Sequence, residues 1–357
     1  MSRVAPKHPP VSGEGVVTLA TRPVARSTLR LTELSLGGAQ LGNLYQAITD
    51  EQARATVDAA WELGIRYFDT APHYGLGLSE RRLGAALAGR SRSDYILSTK
   101  VGRRLEPFSR EGQHDDDGFD VPATHRRVWD FSRDGVLRSL EESLQRLGVD
   151  AVDIVYLHDP DEHRREVLAD AYPALEELRG QGVVSAIGAG MNQTAMLADI
   201  ARHTDMDVLM LAGRYTLLEQ SALDDSLPLC ERRGIGIVAA GVFNSGLLAR
   251  RAPVDAAKYD YVDAPEALVL RARRIADICE RHGTSLPAVA LAFPLAHPVV
   301  VSVCVGARSP EQIARNVDLY RSDVPAAVWS ELKEQGLLRP YAPVPAGDGN
   351  GDLGDQP

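Results

Sequence analysis

Short apolar runs recur along the chain, each bounded by glycine or a charged residue. They fall at Leu34–Gly37, Arg66–Asp69, Tyr95–Lys100, Ile154–His158, Ser185–Ala189, Val208–Ala212, Ile235–Ala240 and Val299–Val305. Being apolar on both faces, they have the character of parallel strands buried on both sides. Longer stretches between them carry a helical period. Asp50–Leu63 opens behind Thr49 and sets Ala53, Val57, Ala60 and Trp61 on one face. Ser132–Leu147 starts at a serine cap, aligns Val136, Leu140, Leu144 and Leu147, and stops at Gly148. Ala171–Arg179, Thr194–His203, Ser226–Arg233, Pro265–His282 and Pro310–Tyr320 continue the alternation. Eight strands alternating with helices predict an α/β fold, a single-domain (β/α)8 TIM barrel. A doubly wound sheet is the alternative, one strand away in the count.

The barrel is expected over 30–342, between a flexible segment at 1–29 and a disordered tail at 343–357, both lacking apolar periodicity. Two stretches inside it are not strand or helix. Arg103–Asp130, a long loop after the third strand, carries Glu111, Asp115, Asp116, Asp117 and Asp120 beside Phe108, Phe119 and Trp129. A loop of that length with those aromatics predicts a partly ordered lid. Leu247–Pro265, with Tyr259 and Tyr261, reads as a cover over a cofactor or as a solvated connection.

Composition narrows the class. Of 357 residues, 44% are hydrophobic and 25% charged, as in an ordinary globular chain. A net charge of −10 argues against a nucleic-acid or anionic-membrane partner. No apolar run is long enough to cross a bilayer and no secretory pattern opens the chain, so a cytoplasmic enzyme is expected. Cys230, Cys279 and Cys304 are scattered through apolar stretches, which predicts core residues rather than a disulfide framework or a metal site.

The polar residues gather where a barrel would place function. Asp69, Lys100, His158, Asn192 and Asn244 each end or follow a strand candidate. Asp69 opens the run Asp69-Thr70-Ala71-Pro72-His73-Tyr74-Gly75, and Lys100 and His158 close the third and fourth strands. A phenol, with an ordinary pKa of about 10, carries protons poorly at neutrality. A neighbouring ammonium favours its phenolate, a carboxylate keeps that ammonium charged and aimed, and an imidazole orients a substrate oxygen. The set suits proton exchange with a hydroxyl or carbonyl oxygen while hydride moves at carbon. His73, His158 and Asp69 lack the spacing of a metal pair.

These motifs, with Leu157-His158 and Gly306-Ala307-Arg308-Ser309-Pro310-x-Gln312-x-x-x-Asn316, resemble the aldo-keto reductases from about Leu31 to Tyr320. The resemblance implies Tyr74 as general acid/base, Asp69 and Lys100 as the partners that tune it, and His158 as orienter of the substrate oxygen. It also implies NADP or NAD as cofactor, bound without a Rossmann domain. The helix N-terminus at Pro310 offers free N–H groups to a phosphate, and Arg308 suits a 2′-phosphate. Gln312 and Asn316 resemble the adenine contacts. Gly241, Phe243, Asn244, Gly246 and Leu247 stand where the family holds pyrophosphate, with backbone amides doing most of the binding. Gly306 and Ala307, just before Arg308, belong to the same implied cofactor contact, and Asn192 matches the holder of the nicotinamide carboxamide. Tyr215 either stacks on the nicotinamide or is a packing aromatic.

Gly42-Asn43-Leu44-Tyr45, Pro72–Glu80 and His158-Asp159-Pro160-Asp161 resemble the branch that oxidises aldoses at C1, with pyridoxal 4-dehydrogenases nearby. That implies a small-molecule substrate, a sugar of the L-fucose or D-arabinose type or an aldehyde, met by His73, Trp129 and Asp159. General aldehyde or ketone reduction is an alternative. A nucleotide-sensing barrel without turnover and a sugar-binding barrel without redox chemistry are readings of a different class.

Overall fold

A computed structural model of the chain describes residues 18–108, 112–254, 258–260 and 262–345. Glu111, Tyr261 and the outer parts of both terminal segments (1–17 and 346–357) lie outside them.

Eight parallel strands close into a barrel: β1 (Leu34–Gly37), β2 (Tyr67–Asp69), β3 (Ile96–Val101), β4 (Ile154–His158), β5 (Ala186–Met191), β6 (Val208–Ala212), β7 (Gly236–Ala240) and β8 (Val300–Gly306). β8 returns to β1 through Val303 opposite Leu34, which seals the sheet. The eight strands expected from the apolar runs are all present, shifted by at most two residues. Helices cover the outer face and are capped as their sequences predict. Thr49 Oγ1 accepts from the Gln52 amide ahead of Asp50–Glu62, and Ser132 Oγ accepts from the Gly135 amide ahead of Arg133–Leu147.

The structure adds helices at Leu78–Leu87, Leu286–Leu295 and Ala326–Glu334. Leu78–Leu87 starts at the left-handed Gly77 with no side-chain cap and has Gly84 in its middle, so its sequence signal is weak. Gly84 is required by packing: a Cβ there would lie 2.0 Å from the Leu147 carbonyl oxygen. Leu286–Leu295 is apolar almost all round and carries Pro294, which erases the amphipathic period.

One segment corrects the reading of the sequence and a second, expected as a lid, gives it a definite form. Part of the 1–29 segment is structured: Thr21–Pro23 pairs antiparallel with Arg30–Thr32 and corks the bottom of the barrel. Val24, Leu29 and Leu31 pack there against Tyr67, Ile154, Val208 and Val301 in the lumen. Arg22 pins the turn through Glu33 at 2.6 Å and the Val300 carbonyl at 2.9 Å. A two-stranded plug this short leaves no periodicity to read. The long loop after β3 is a hairpin, Arg103–Pro107 pairing with His125–Trp129, whose tip folds over the barrel mouth and buries Phe119 and Val121 beside Leu76.

No helix among the described residues is long and apolar enough to cross a membrane.

Candidate active site

The C-terminal ends of β2, β3 and β4 are adjacent, so Asp69, Lys100 and His158 face one volume. Lys100 is 2% exposed. Its Nζ donates to Asp69 Oδ2 at 2.5 Å, to the Thr70 carbonyl at 3.0 Å and to the Tyr74 hydroxyl at 3.2 Å. Burial works against its charge, but Asp69 and Tyr74 outweigh that and hold its pKa above the ordinary lysine range. The ammonium is therefore permanent at physiological pH. The Tyr74 ring meets His158 edge-on at 5.9 Å and lies 6.0 Å from Phe119. Burial, reinforced by Arg103 and Lys100, pushes the His158 pKa far below its usual value, leaving a neutral imidazole. His73, 5.4 Å from His158, is neutral for the same reasons, with Arg103 and Arg127 as its nearest cations.

His73, Tyr74, Lys100 and His158 line a cavity of about 670 Å³ together with Asp159, Asp161, Arg103 and Phe119, while Asp69 lies behind Lys100. Arg103 Nη2 donates to Asp159 Oδ2 at 2.5 Å, and Arg103 Nη1 sits 3.5 Å from both His73 ring nitrogens. Asp159 holds a left-handed backbone (φ 43°), a strained conformation for a residue with a side chain. Asp161 Oδ1 and His158 Nδ1 are buried without a hydrogen-bond partner.

Trp129 is not among the residues lining that cavity. It stacks on Phe131 at 5.9 Å and carries the Arg103 guanidinium 4.3 Å above its ring, so it braces Arg103 from behind.

A second cavity, about 340 Å³, opens beside the first between the ends of β6, β7 and β8. Asn192 lines both. Gly241, Phe243, Asn244, Gly246, Gly306 and Arg308 line the second, as the sequence implies. Further out, Gln312 and Asn316 border a third cavity of about 450 Å³ with Arg250, Lys258, Arg308 and Arg315.

Leu247 and Ala307 differ from their expected place. Both side chains are in the core, and the Leu247 amide is spent on the Asn244 carbonyl. The amides of Asn244 and Gly246 are likewise used within the turn, so backbone donors here do less than expected. Tyr215 is a packing aromatic, buried against Phe293 at 5.0 Å.

Gln40 was not legible in the sequence, yet it lines both outer cavities. Gly306 makes room for it: a Cβ there would lie 2.0 Å from Gln40 Oε1. That oxygen and Asn244 Oδ1 are buried without partners. Two orphaned acceptors, a capped helix N-terminus at Ser309–Pro310 and a basic outer end fit a dinucleotide with a carboxamide donor on one ring, an amino donor on the other and phosphates between them. Arg103, at the base of the hairpin, and Phe119 and Asp161, on loops, were also missed as site residues, since no periodicity encodes where these segments sit over the barrel.

Comparison with known proteins agrees with this geometry. The aldo/keto reductase family model matches residues 33–336. The chain is 47% identical over 324 residues to D-threo-aldose 1-dehydrogenase of a Pseudomonas species, covering 89% of this chain and 98% of that protein. It is 40% identical over 335 residues to pyridoxal 4-dehydrogenase of Microbacterium luteolum, covering 89% and 97%. The holo form of an aldo-keto reductase from Bacillus halodurans superimposes with a TM-score of 0.72 at 28% identity, covering 90% of this chain and 97% of that one. The chain belongs to the aldo/keto reductase family and is an NAD(P)-dependent oxidoreductase.

Proposed function

We propose that the protein oxidises an uncharged aldose at C1 to its lactone. The observation that carries this reading is the Lys100 ammonium held between Asp69 and the Tyr74 hydroxyl under a cavity whose far wall is charged. Tyr74, as its phenolate, takes the proton of the anomeric hydroxyl, and Lys100 stabilises the negative oxygen before transfer. His158, neutral and buried, offers a hydrogen bond to the same substrate oxygen without competing for the proton. A nicotinamide, when bound in the adjoining groove, would supply the hydride acceptor for C1. As the proton and hydride depart, the C1–O bond becomes a carbonyl, and atoms and charge balance.

The remaining walls support a sugar. Arg103 donates and Asp159 and Asp161 accept, a mixture that matches the two-sided hydrogen bonding of ring hydroxyls. Phe119 presents a flat apolar surface to the C–H face. The similarity to D-threo-aldose 1-dehydrogenase supports the same assignment. Oxidation of pyridoxal is the second reading, favoured by the similarity to pyridoxal 4-dehydrogenase and by the same aromatic surface. Both NADP and NAD suit the groove, and the basic groups Arg250, Lys258, Arg308 and Arg315 favour the 2′-phosphorylated form.

Steady-state NAD(P)H formation with L-fucose, D-arabinose and pyridoxal tests the assignment. Turnover of the sugars with higher kcat/KM than pyridoxal is expected. Pyridoxal turnover with inert sugars would replace the first reading by the second.

A further inference from the structure

The polar contacts inside the barrel continue behind Asp69. Its second oxygen, Oδ1, accepts from Ser98 Oγ at 2.7 Å. Ser98 Oγ lies 3.1 Å from the Tyr67 hydroxyl, which lies 3.0 Å from the Tyr156 hydroxyl. All three side chains are fully buried. Each hydroxyl has one hydrogen to give, and a carboxylate facing an ammonium only accepts. The Ser98 hydrogen is therefore committed to Asp69, so Ser98 accepts from Tyr67. The Tyr67 hydrogen is then spent, so Tyr67 accepts from Tyr156. The direction is forced from Tyr156 through Tyr67 and Ser98 to Asp69.

We propose that Ser98, backed by Tyr67 and Tyr156, is a positioning device that holds Asp69 so that Lys100 stays aimed at Tyr74, and thereby sets the pH range over which Tyr74 exchanges a proton with substrate. The inference rests on Tyr74 being the proton-transfer group. A directed chain ending on a charge polarises each successive bond, and its worth rises in a sealed interior. Burial raises the pKa of both tyrosines well above the ordinary phenol value, which keeps them donors. Without the Ser98 hydroxyl, Asp69 Oδ1 would be a buried acceptor with no donor. The carboxylate would then turn both oxygens to Lys100 and draw Nζ away from Tyr74. The titratable groups facing Tyr74 and Asp69 are Lys100, His73, His158, Tyr67 and Cys304, with Arg103 and Arg127 beyond them.

The test is a kcat–pH profile of the full-length enzyme, with L-fucose in oxidation and DL-glyceraldehyde in reduction, for Ser98→Ala, Ser98→Thr, Tyr67→Phe and Tyr156→Phe. For Ser98→Ala, the acid limb of oxidation is expected to move alkaline by about one pH unit, with kcat about tenfold lower on that limb. Substrate KM and nucleotide Kd should stay within about twofold, and Ser98→Thr should restore the limb. Tyr67→Phe should shift it less and Tyr156→Phe least, because each removes a more distant link. A structural role alone would lower the melting temperature without moving the limb. Should Ser98→Ala fail to fold, the two Tyr→Phe variants, each lacking a single oxygen, carry the decision. An unmoved limb in Tyr67→Phe overturns the inference. Tyr74→Phe separates the layers: a fully active Tyr74→Phe removes the reading of Tyr74 itself, whereas an inactive one beside an unmoved limb defeats only the positioning role.

Discussion

The cavity proposed for catalysis and the groove proposed for the nucleotide share Asn192 yet are built differently. The first is made of side chains fixed by one another: Lys100 by Asp69, Arg103 by Asp159 and Trp129, Tyr74 by Phe119 and His158. The second is made of backbone shape: Gly241, Asn244 and Ser245 with positive φ, a helix N-terminus after Gly306, and side chains such as Gln40 with unused acceptors. A proton-transfer site needs preset geometry at the scale of one hydrogen bond. A groove for a long flexible cofactor can leave its polar atoms waiting. Substitutions in the first region should therefore damage rate and stability together, and those in the second should damage affinity alone.

The largest expected effect tests that division at its centre. Tyr74→Phe should lower kcat by about 10³-fold or more, within the range of general acid–base loss, while nucleotide binding by fluorescence quenching changes less than about twofold. Loss of nucleotide affinity in that variant would show that the two regions are not separable. Next comes stability. Lys100→Met leaves Asp69 charged and unpaired in the interior, and urea unfolding should show a loss of about 3–5 kcal/mol.

Of the two regions, acid should act on the first. His73 and His158 have pKa values far below the ordinary 6.5, with burial as the main cause. The unfolded chain then binds protons that the folded one refuses, so their contribution is full above about pH 6.5 and falls as pH drops below it. Each imidazole costs up to about 1.4 kcal/mol per pH unit in that window. Thermal unfolding from pH 7.5 to 5.5 checks this, and His73→Phe should flatten the dependence. The smallest effect belongs to the groove. Arg308→Leu should weaken NADP about tenfold by titration, leave NAD within about twofold, and leave the melting temperature unchanged.

The same division decides what the sequence discloses. Asp69, Lys100 and His158 are legible because strand ends carry them, and a parallel strand announces itself by its length and its two apolar faces; Tyr74 is legible because it follows Asp69 in the Asp69–Gly75 motif. Gln40, Arg103, Phe119 and Asp161 are not, since residues in the segments between barrel strands acquire their neighbours only after the chain has closed around them. Leu247 and Ala307 were placed in the groove by motif position, yet the turn rotates their side chains into the core. Trp129 was placed by character, and its ring instead braces a cation. The helix at Leu78–Leu87 hides behind Gly84, a residue chosen for close packing at the expense of helix propensity.

The plug formed by Thr21–Pro23 and Arg30–Thr32 bears on how the gene is handled. Trimming the product back to Leu34 for crystallisation or fusion would look harmless on an alignment of catalytic motifs. It would uncork the tube beneath Tyr67 and admit solvent to the hydroxyl chain proposed to hold Asp69, whose worth depends on staying dry. Such a truncate should keep its outer shell of helices and lose its chemistry, a failure easily mistaken for a wrong substrate.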